Sequence, residues 1–220
     1  MIRMKMKSFN LFENTGSPCN LGSIHGRQAF NILKCKIDVE GENICWNIDF
    51  KDSIGTDYYF FCNFLGPIFN NFGEILPNNT VVIVACHKES DLRHIYSGLS
   101  FSEKDELSLL TVDEAFNNIQ RKNRYFLLID KSAESVNFKY VGTTETDLLK
   151  LLQYLELKGE VSVLNTNLDL KWQIEDTVKN FDILCKRRLI IKYSEKQSSQ
   201  IGESLYVSPA FLLKETTNEN

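Results

Sequence analysis

Six consecutive apolar residues, Val81 to Cys86 (VVIVAC), restrict the folds open to this chain. The run is too short for a buried helix, and its β-branching favours a strand. With no polar alternation, both faces of that strand have to be covered. Tyr125 to Ile129 (YFLLI) reads the same way. Ile44 to Phe50 (ICWNIDF) reads as a strand with two unlike faces: Ile44, Trp46, Ile48 and Phe50 point one way, Cys45, Asn47 and Asp49 the other. Helical periodicities lie between these strands. Phe30, Leu33 and Ile37 mark a helix with Ser23 as its cap and an end near Asp38. A polar turn, Lys51 to Thr56, leads into a second helix marked by Tyr58, Phe61, Phe64, Leu65, Ile68, Phe69 and Phe72. Ser53 or Thr56 caps it, Pro67 kinks or breaks it, and Gly73 stops it.

Asp91 to Leu99, closed by Gly98, reads as a short helix, as does a segment from Asp113 to Ile119 with Asp113 as cap. Ile2 to Phe12 suits an edge strand, Leu107 to Val112 a short strand, Asn14 to Asn20 a turn and Arg121 to Arg124 a basic turn. A last strand and a linker fit within Ser132 to Thr144. The alternation predicts an α/β domain over residues 1–140, with a mixed, mostly parallel sheet covered by helices. Residues 143–213 follow another pattern. Thr144 with Asp147 reads as a capping box before a stripe of Leu148, Leu149, Leu152, Leu155 and Leu157, ending at Gly159. Brief apolar pieces follow at Val161 to Leu164 and Leu168 to Leu170, then a helix from Trp172 to Cys185. Strands at Leu189 to Tyr193 and Ser204 to Val207 flank a polar tip, Ser194 to Gly202. Helices followed by a two-stranded ribbon predict a small winged-helix-like α+β domain, with a polar tail fraying after Leu213.

At GRQAF and IDFKDSIGTDYYFFCNFLGPIFNNFG the chain resembles the STAS-like family of unknown function found in bacteria and phages. The matching positions are Arg27, Ala29, Asp49, Phe50 and Phe72-Gly73, within Ser23 to Cys86. In the wider STAS class a serine at the start of the helix after the strand is phosphorylated by a partner kinase. Ser53 and Thr56 stand near that place here, without the paired serines and at shorter spacing. The resemblance thus implies a phospho-switch there, while the residues themselves read as helix caps. The segment beyond Thr143 is similar to winged-helix domains generally.

The net charge of the chain is −4, so it has no global attraction for nucleic acid. A winged helix presents its last helix to the major groove. Here that helix and the ribbon offer Lys171, Gln173, Lys179, Arg187, Arg188 and Lys192. Glu175, Asp176 and Asp182 lie among them, and residues 143–213 hold nine Lys and Arg against ten Asp and Glu. That balance suits protein docking at least as well as duplex DNA. Arg27, Asp49 and Asp52 are candidate partner-binding residues; Arg27 also suits an internal pair with Asp49 or Asp52.

Asp49, Asp52, Asp57 and Asp130 at strand ends define a candidate metal site of an enzyme. The spacing of His87 and His94, near Cys86 and Asp91, does not match a structural zinc site. The glycine loops that wrap phosphates and the GxSxG and HExxH motifs do not occur. Cys62 and Cys86 have no basic neighbour in sequence to activate them. The six cysteines form no CxxC pair, and five have apolar or strand-like neighbours, the pattern of small buried hydrophobes. No run reaches 18 apolar residues, and MIRMKMKSFNLF is not followed by a signal-peptide pattern. A reducing cytoplasm is the expected compartment. The expectation is a non-enzymatic regulatory or protein-interaction module without a cofactor, engaging a protein or another copy of itself. A DNA-binding regulator is the main alternative, a metal-dependent enzyme the weaker one.

Overall fold

The computed structural model describes residues 5–70, 72–100, 112–132, 136–194 and 204–218. Its first part comprises β1 (Lys5–Asn10), α1 (Leu11–Thr15), β2 (Cys19–Asn20), α2 (Gly22–Glu40), β3 (Ile44–Asp49), β4 (Gly55–Thr56), α3 (Tyr58–Asn70), α4 (Phe72–Ile75), β5 (Val81–Cys86), α5 (Glu89–Ser100), α6 (Val112–Arg121), β6 (Phe126–Asp130) and β7 (Asn137–Val141). Five strands form one sheet in the order β1-β3-β5-β6-β7. The first four are parallel, and β7 runs antiparallel to β6. Each new parallel strand is added on the same side of the last. Right-handed crossovers then place every connecting helix on one face of the sheet. On that face α3 packs between α2 and α5, and α5 meets α6. The core beneath them is aromatic: Phe50 meets Phe61 edge-on at 5.2 Å between ring centroids, and Phe69 stacks on Phe126 at 4.7 Å.

Two glycines set how closely these helices approach. A Cβ on Gly26 of α2 would lie 2.5 Å from the Phe60 carbonyl oxygen of α3. A Cβ on Gly98 of α5 would lie 2.6 Å from the Tyr58 carbonyl oxygen. Neither backbone oxygen can move without moving α3, so both contacts need the missing side chain. Gly98 is therefore an interior packing residue and not the helix stop that the sequence suggests.

The second part comprises α7 (Thr146–Lys158), β8 (Val161–Ser162), α8 (Val163–Leu170), α9 (Ile174–Lys186), β9 (Ile191–Ser194), β10 (Ser204–Val207) and α10 (Pro209–Asn218). Its three strands form an antiparallel sheet in the order β8-β10-β9. Leu148, Leu151, Leu152, Leu155, Phe181, Leu184 and Tyr206 form its core. A third apolar cluster joins the two parts: Ile191, Val207 and Ala210 pack with Cys45, Val81, Ile83, Ala85, Leu127 and Ile129. The two faces of VVIVAC are thus both buried, as expected. Val82, Val84 and Cys86 enter the helical core, while Val81, Ile83 and Ala85 lie under the C-terminal segment.

Several local expectations are corrected. Ser23 lies inside α2, whose N-cap is Leu21 and makes no side-chain bond. The Asp57 carboxylate instead accepts from Gly22 N–H (3.0 Å) and Phe60 N–H (2.7 Å), tying the starts of α2 and α3 together. Helix α2 continues to Glu40. Helix α3 runs through Pro67 unbroken because Phe64, Leu65, Ile68 and Phe69 are buried on both sides of it, and Gly73 lies within α4. Thr144 is not a cap; α7 begins after Glu145. Leu157 is 82% exposed, and Leu151 and Tyr154 complete the buried stripe instead. The Asn14–Asn20 region holds the end of α1 and β2 as well as a turn, and residues after Leu213 continue α10 to Asn218. Arg124, read as part of a basic turn, is buried. It donates to Asn70 Oδ1 (2.6 Å) and to the Leu99 carbonyl near the end of α5. The strand expected at Leu107–Val112 and the polar tip Ser194–Gly202 fall mostly outside the described residues.

Candidate functional site

The carboxyl end of the parallel sheet gathers Asp49, Asp52, Asp57, Asp91 and Asp130, and pleat parity divides them. Asp49 pairs in register with Ala85 and shares its face, the one covered by the C-terminal segment. Asp130 pairs with Cys86 and shares the opposite, helical face. Each carboxylate has local work. Asp49 Oδ1 is 2.8 Å from His87 Nε2 and accepts from Lys51 N–H at 2.8 Å. Asp130 accepts from Ser132 and from Lys139 Nζ (3.1 Å), and these bonds hold its carboxyl below the ordinary range against the opposing effect of burial. Asp52 accepts from Asn10 Nδ2 at 3.2 Å. Among the described residues no three His, Cys, Asp or Glu side chains meet in a metal-binding group. Asp49 and Asp130 therefore do not converge as the metal-site expectation requires. Burial, with Asp91, Asp130 and Asp49 nearby, pushes the Cys86 thiol well up, which leaves it protonated.

Ser53 and Thr56 are both buried. The Ser53 carbonyl accepts from Lys88 Nζ, and the Thr56 hydroxyl donates to Asp91 Oδ1 at 2.6 Å. Thr56 belongs to β4, and the N-terminus of α3 is served by Asp57, so Thr56 does not cap that helix. Neither hydroxyl is presented to solvent. Arg27 lies exposed on α2. Among the described residues it forms no ion pair with Asp49 or Asp52, whose partners are His87 and Asn10.

The cations picked out in the second part fall into two sets. Lys171, Gln173, Lys179 and Lys192 are exposed. Lys171 closes α8 in the left-handed conformation (φ 55°), Gln173 precedes α9, and Lys192 lies over the Tyr206 ring. Arg187 is engaged internally. Its guanidinium makes two bonds to the Glu145 carboxylate, at 3.0 and 2.5 Å, and lies 4.1 Å from the Tyr125 ring centroid. This pairing holds the Glu145 carboxyl at about 2. Arg188 is half-buried with φ 56°, and burial lowers its pKa. The expectation that Arg187 contacts nucleic acid therefore conflicts with its geometry.

This helix pair also exposes apolar side chains. Leu164 and Leu168 on α8, and Ile174 and Val178 on α9, are all exposed. Each pair is four residues apart and so shares a helix face. Glu175, Asp176 and Asp182 are exposed on α9 beside them, with Lys179 and Lys186. Ile174 and Val178 fit the same helical period as Phe181 and Leu184, which are buried, so periodicity alone does not separate them from the core. The acids interleaved at 175, 176 and 182 were the available signal that this side faces solvent.

No protein-family model and no curated protein matches this chain. Among the described residues no helix is long and apolar enough to cross a membrane.

Proposed function

We propose that this chain is a non-enzymatic interaction protein. In this reading its second part is a winged-helix-like module that docks a protein partner through α8 and α9, and its first part is a STAS-like scaffold. The winged-helix reading is supported by the element order: helix, short strand, two helices, then a ribbon whose second strand pairs with the first short strand. The STAS-like reading is supported by the strand ending at Asp49, the polar turn after it and helix α3. The observation that carries the docking function is the concentration of Leu164, Leu168, Ile174 and Val178 on the exposed side of α8 and α9. A duplex reader needs basic side chains there to neutralise phosphate. This surface sets apolar groups among charges of both signs, Glu175, Asp176 and Asp182 with Lys179 and Lys186, which suits a protein partner with apolar residues and Lys or Arg opposite the acids.

A photo-crosslinking residue at Val178 tests this in cells, with one at exposed Gln153 on α7 as control. The expected result is one discrete adduct from position 178, lost when Glu175 and Asp176 are both changed to Lys. An adduct of twice the chain mass would identify the partner as a second copy. In parallel, labelled random-sequence duplex is titrated at about 50 and 200 mM salt. Salt-sensitive binding abolished by Lys171→Glu with Lys179→Glu would replace the docking reading with the DNA-binding one.

A further inference from the structure

We propose that the open edge of the large sheet at β1 binds an extended acidic segment of a partner protein, independently of the α8–α9 surface. Strand β1 stands at the end of the sheet order and pairs with β3 alone among the described residues. Its outer row of backbone N–H and C=O groups is a template for another strand. Beside that edge runs a groove of about 440 Å³ between β1 and the C-terminal half of α2. Lys7, Cys35, Lys36, Val39, Glu40 and Trp46 line it.

Two of these residues are unusual for their positions. Val39 is 85% exposed, the largest exposure among the described large apolar side chains. Trp46 is 2% exposed, yet its indole N–H has no acceptor. A buried donor left unpaired is rare in a folded chain and marks a place where an acceptor is wanting.

Charge selects the occupant. Lys7 pairs in register with Trp46 and Lys5 with Ile44, so both lysines lie on the face of the sheet that meets α2. Lys36 adds a third cation from the helix. Glu40 is the acid in the groove, and Lys7 Nζ answers it at 3.0 Å. Among the described residues Lys5 and Lys36 have no ion partner. Lysines on an edge repel casual strand addition, because an incoming strand must bury or displace their charge. An acidic strand meets no such penalty. Its alternate side chains reach the groove, one apolar group against Val39 and one carboxylate toward the lysines and the Trp46 N–H.

The probe is a blocked peptide of about eight residues, a common strand length, in which Val and Glu alternate along one face and Thr fills the other; in the Val-Lys control, Lys replaces Glu. It is titrated into the full chain, labelled with nitrogen-15. The Trp46 indole resonance reports the groove, the β1 amides report the edge, and the Trp172 indole in the second part is the internal reference. The Val-Glu peptide is expected to shift Trp46 and β1 saturably while Trp172 stays still. Lys36→Glu and Val39→Glu, both at exposed positions, are each expected to weaken binding about tenfold or more without moving the Trp172 resonance. The proposal is overturned if Trp46 and β1 do not move at millimolar peptide. It is equally overturned if the Val-Lys peptide binds as well, or if Lys36→Glu leaves the affinity unchanged.

Discussion

Arg187 shows how one side chain can look like a nucleic-acid contact and serve another purpose. It follows α9 in a run of three cations, yet its planar fork is matched to Glu145 at the start of α7 and its face to Tyr125 before β6. Lysine cannot reproduce that geometry. Glu145 is depressed from the ordinary value near 4.5 to about 2, with the Arg187 bond as the main cause. The folded chain thus binds fewer protons than the unfolded chain between those values. The contribution of the pair is complete above the unfolded value and is lost as pH falls through 4.5 toward 2. The Glu145 side chain is 48% exposed, so solvent screening limits the pair to about 1 kcal/mol. Urea unfolding of Glu145→Gln should show a loss of that size at neutral pH. The gap to the parent should narrow as the pH falls below 4.5 and close near pH 2; a gap unchanged between pH 5 and pH 2 would separate Glu145 from the acid sensitivity. The sequence separation of 42 puts this pair beyond sequence reading. The local spacing around Arg187 resembles any solvated helix end.

At the scale of elements, α3 is the axis of the first part, held between α2 and α5 by close approaches at Gly26 and Gly98. Gly98→Ala would place a methyl carbon 2.6 Å from the Tyr58 carbonyl oxygen and 2.9 Å from the Cys62 nitrogen. Both are backbone atoms, so the helices must separate. We expect a cost of about 1–3 kcal/mol, read as a lower denaturation midpoint with an unchanged slope. An alanine that matched or stabilised the parent would mean that α5 is free to shift. The periodicity of α3 was legible because its apolar positions are dense and aromatic. Its N-terminus was not, since Thr56 and Asp57 are both good caps and only the fold shows that Asp57 serves two helices. Helix α10 left a signal in Ser208-Pro209, a capping residue before a proline in the first turn. Ser208 Oγ indeed accepts from Ala210 N–H at 3.1 Å. The polar TTNEN ending masked that signal.

At the scale of the molecule, a sheet wound in one direction leaves its second face bare of crossover helices. The strand runs VVIVAC and FLLID made it legible that both faces must be covered. They did not show that the cover comes from the C-terminal segment, at Ile191, Val207 and Ala210. The apolar contacts of Ile191, Val207 and Ala210 with this face join the two parts in one core, so the second part has a structural task besides any docking. Its outward side, α8 and α9, stays available because its inward side, β9, β10 and α10, is spent on the sheet. Ending the chain after Ser208 should therefore damage the first part. Cys45, which lies under the C-terminal segment and whose thiol burial pushes far up, provides the readout. In the parent, Cys19 and Cys35 should react quickly with a thiol reagent while Cys45 stays protected. The truncated chain should label at Cys45 and bind a hydrophobic dye, because the face of Val81, Ile83 and Ala85 is opened. Ala210→Asp in the full-length chain should produce the same labelling more mildly, since it places a charge in that core without removing the helix. If Cys45 remains protected in both variants, α10 is not needed to cover the sheet, and Ile191 and Val207 suffice.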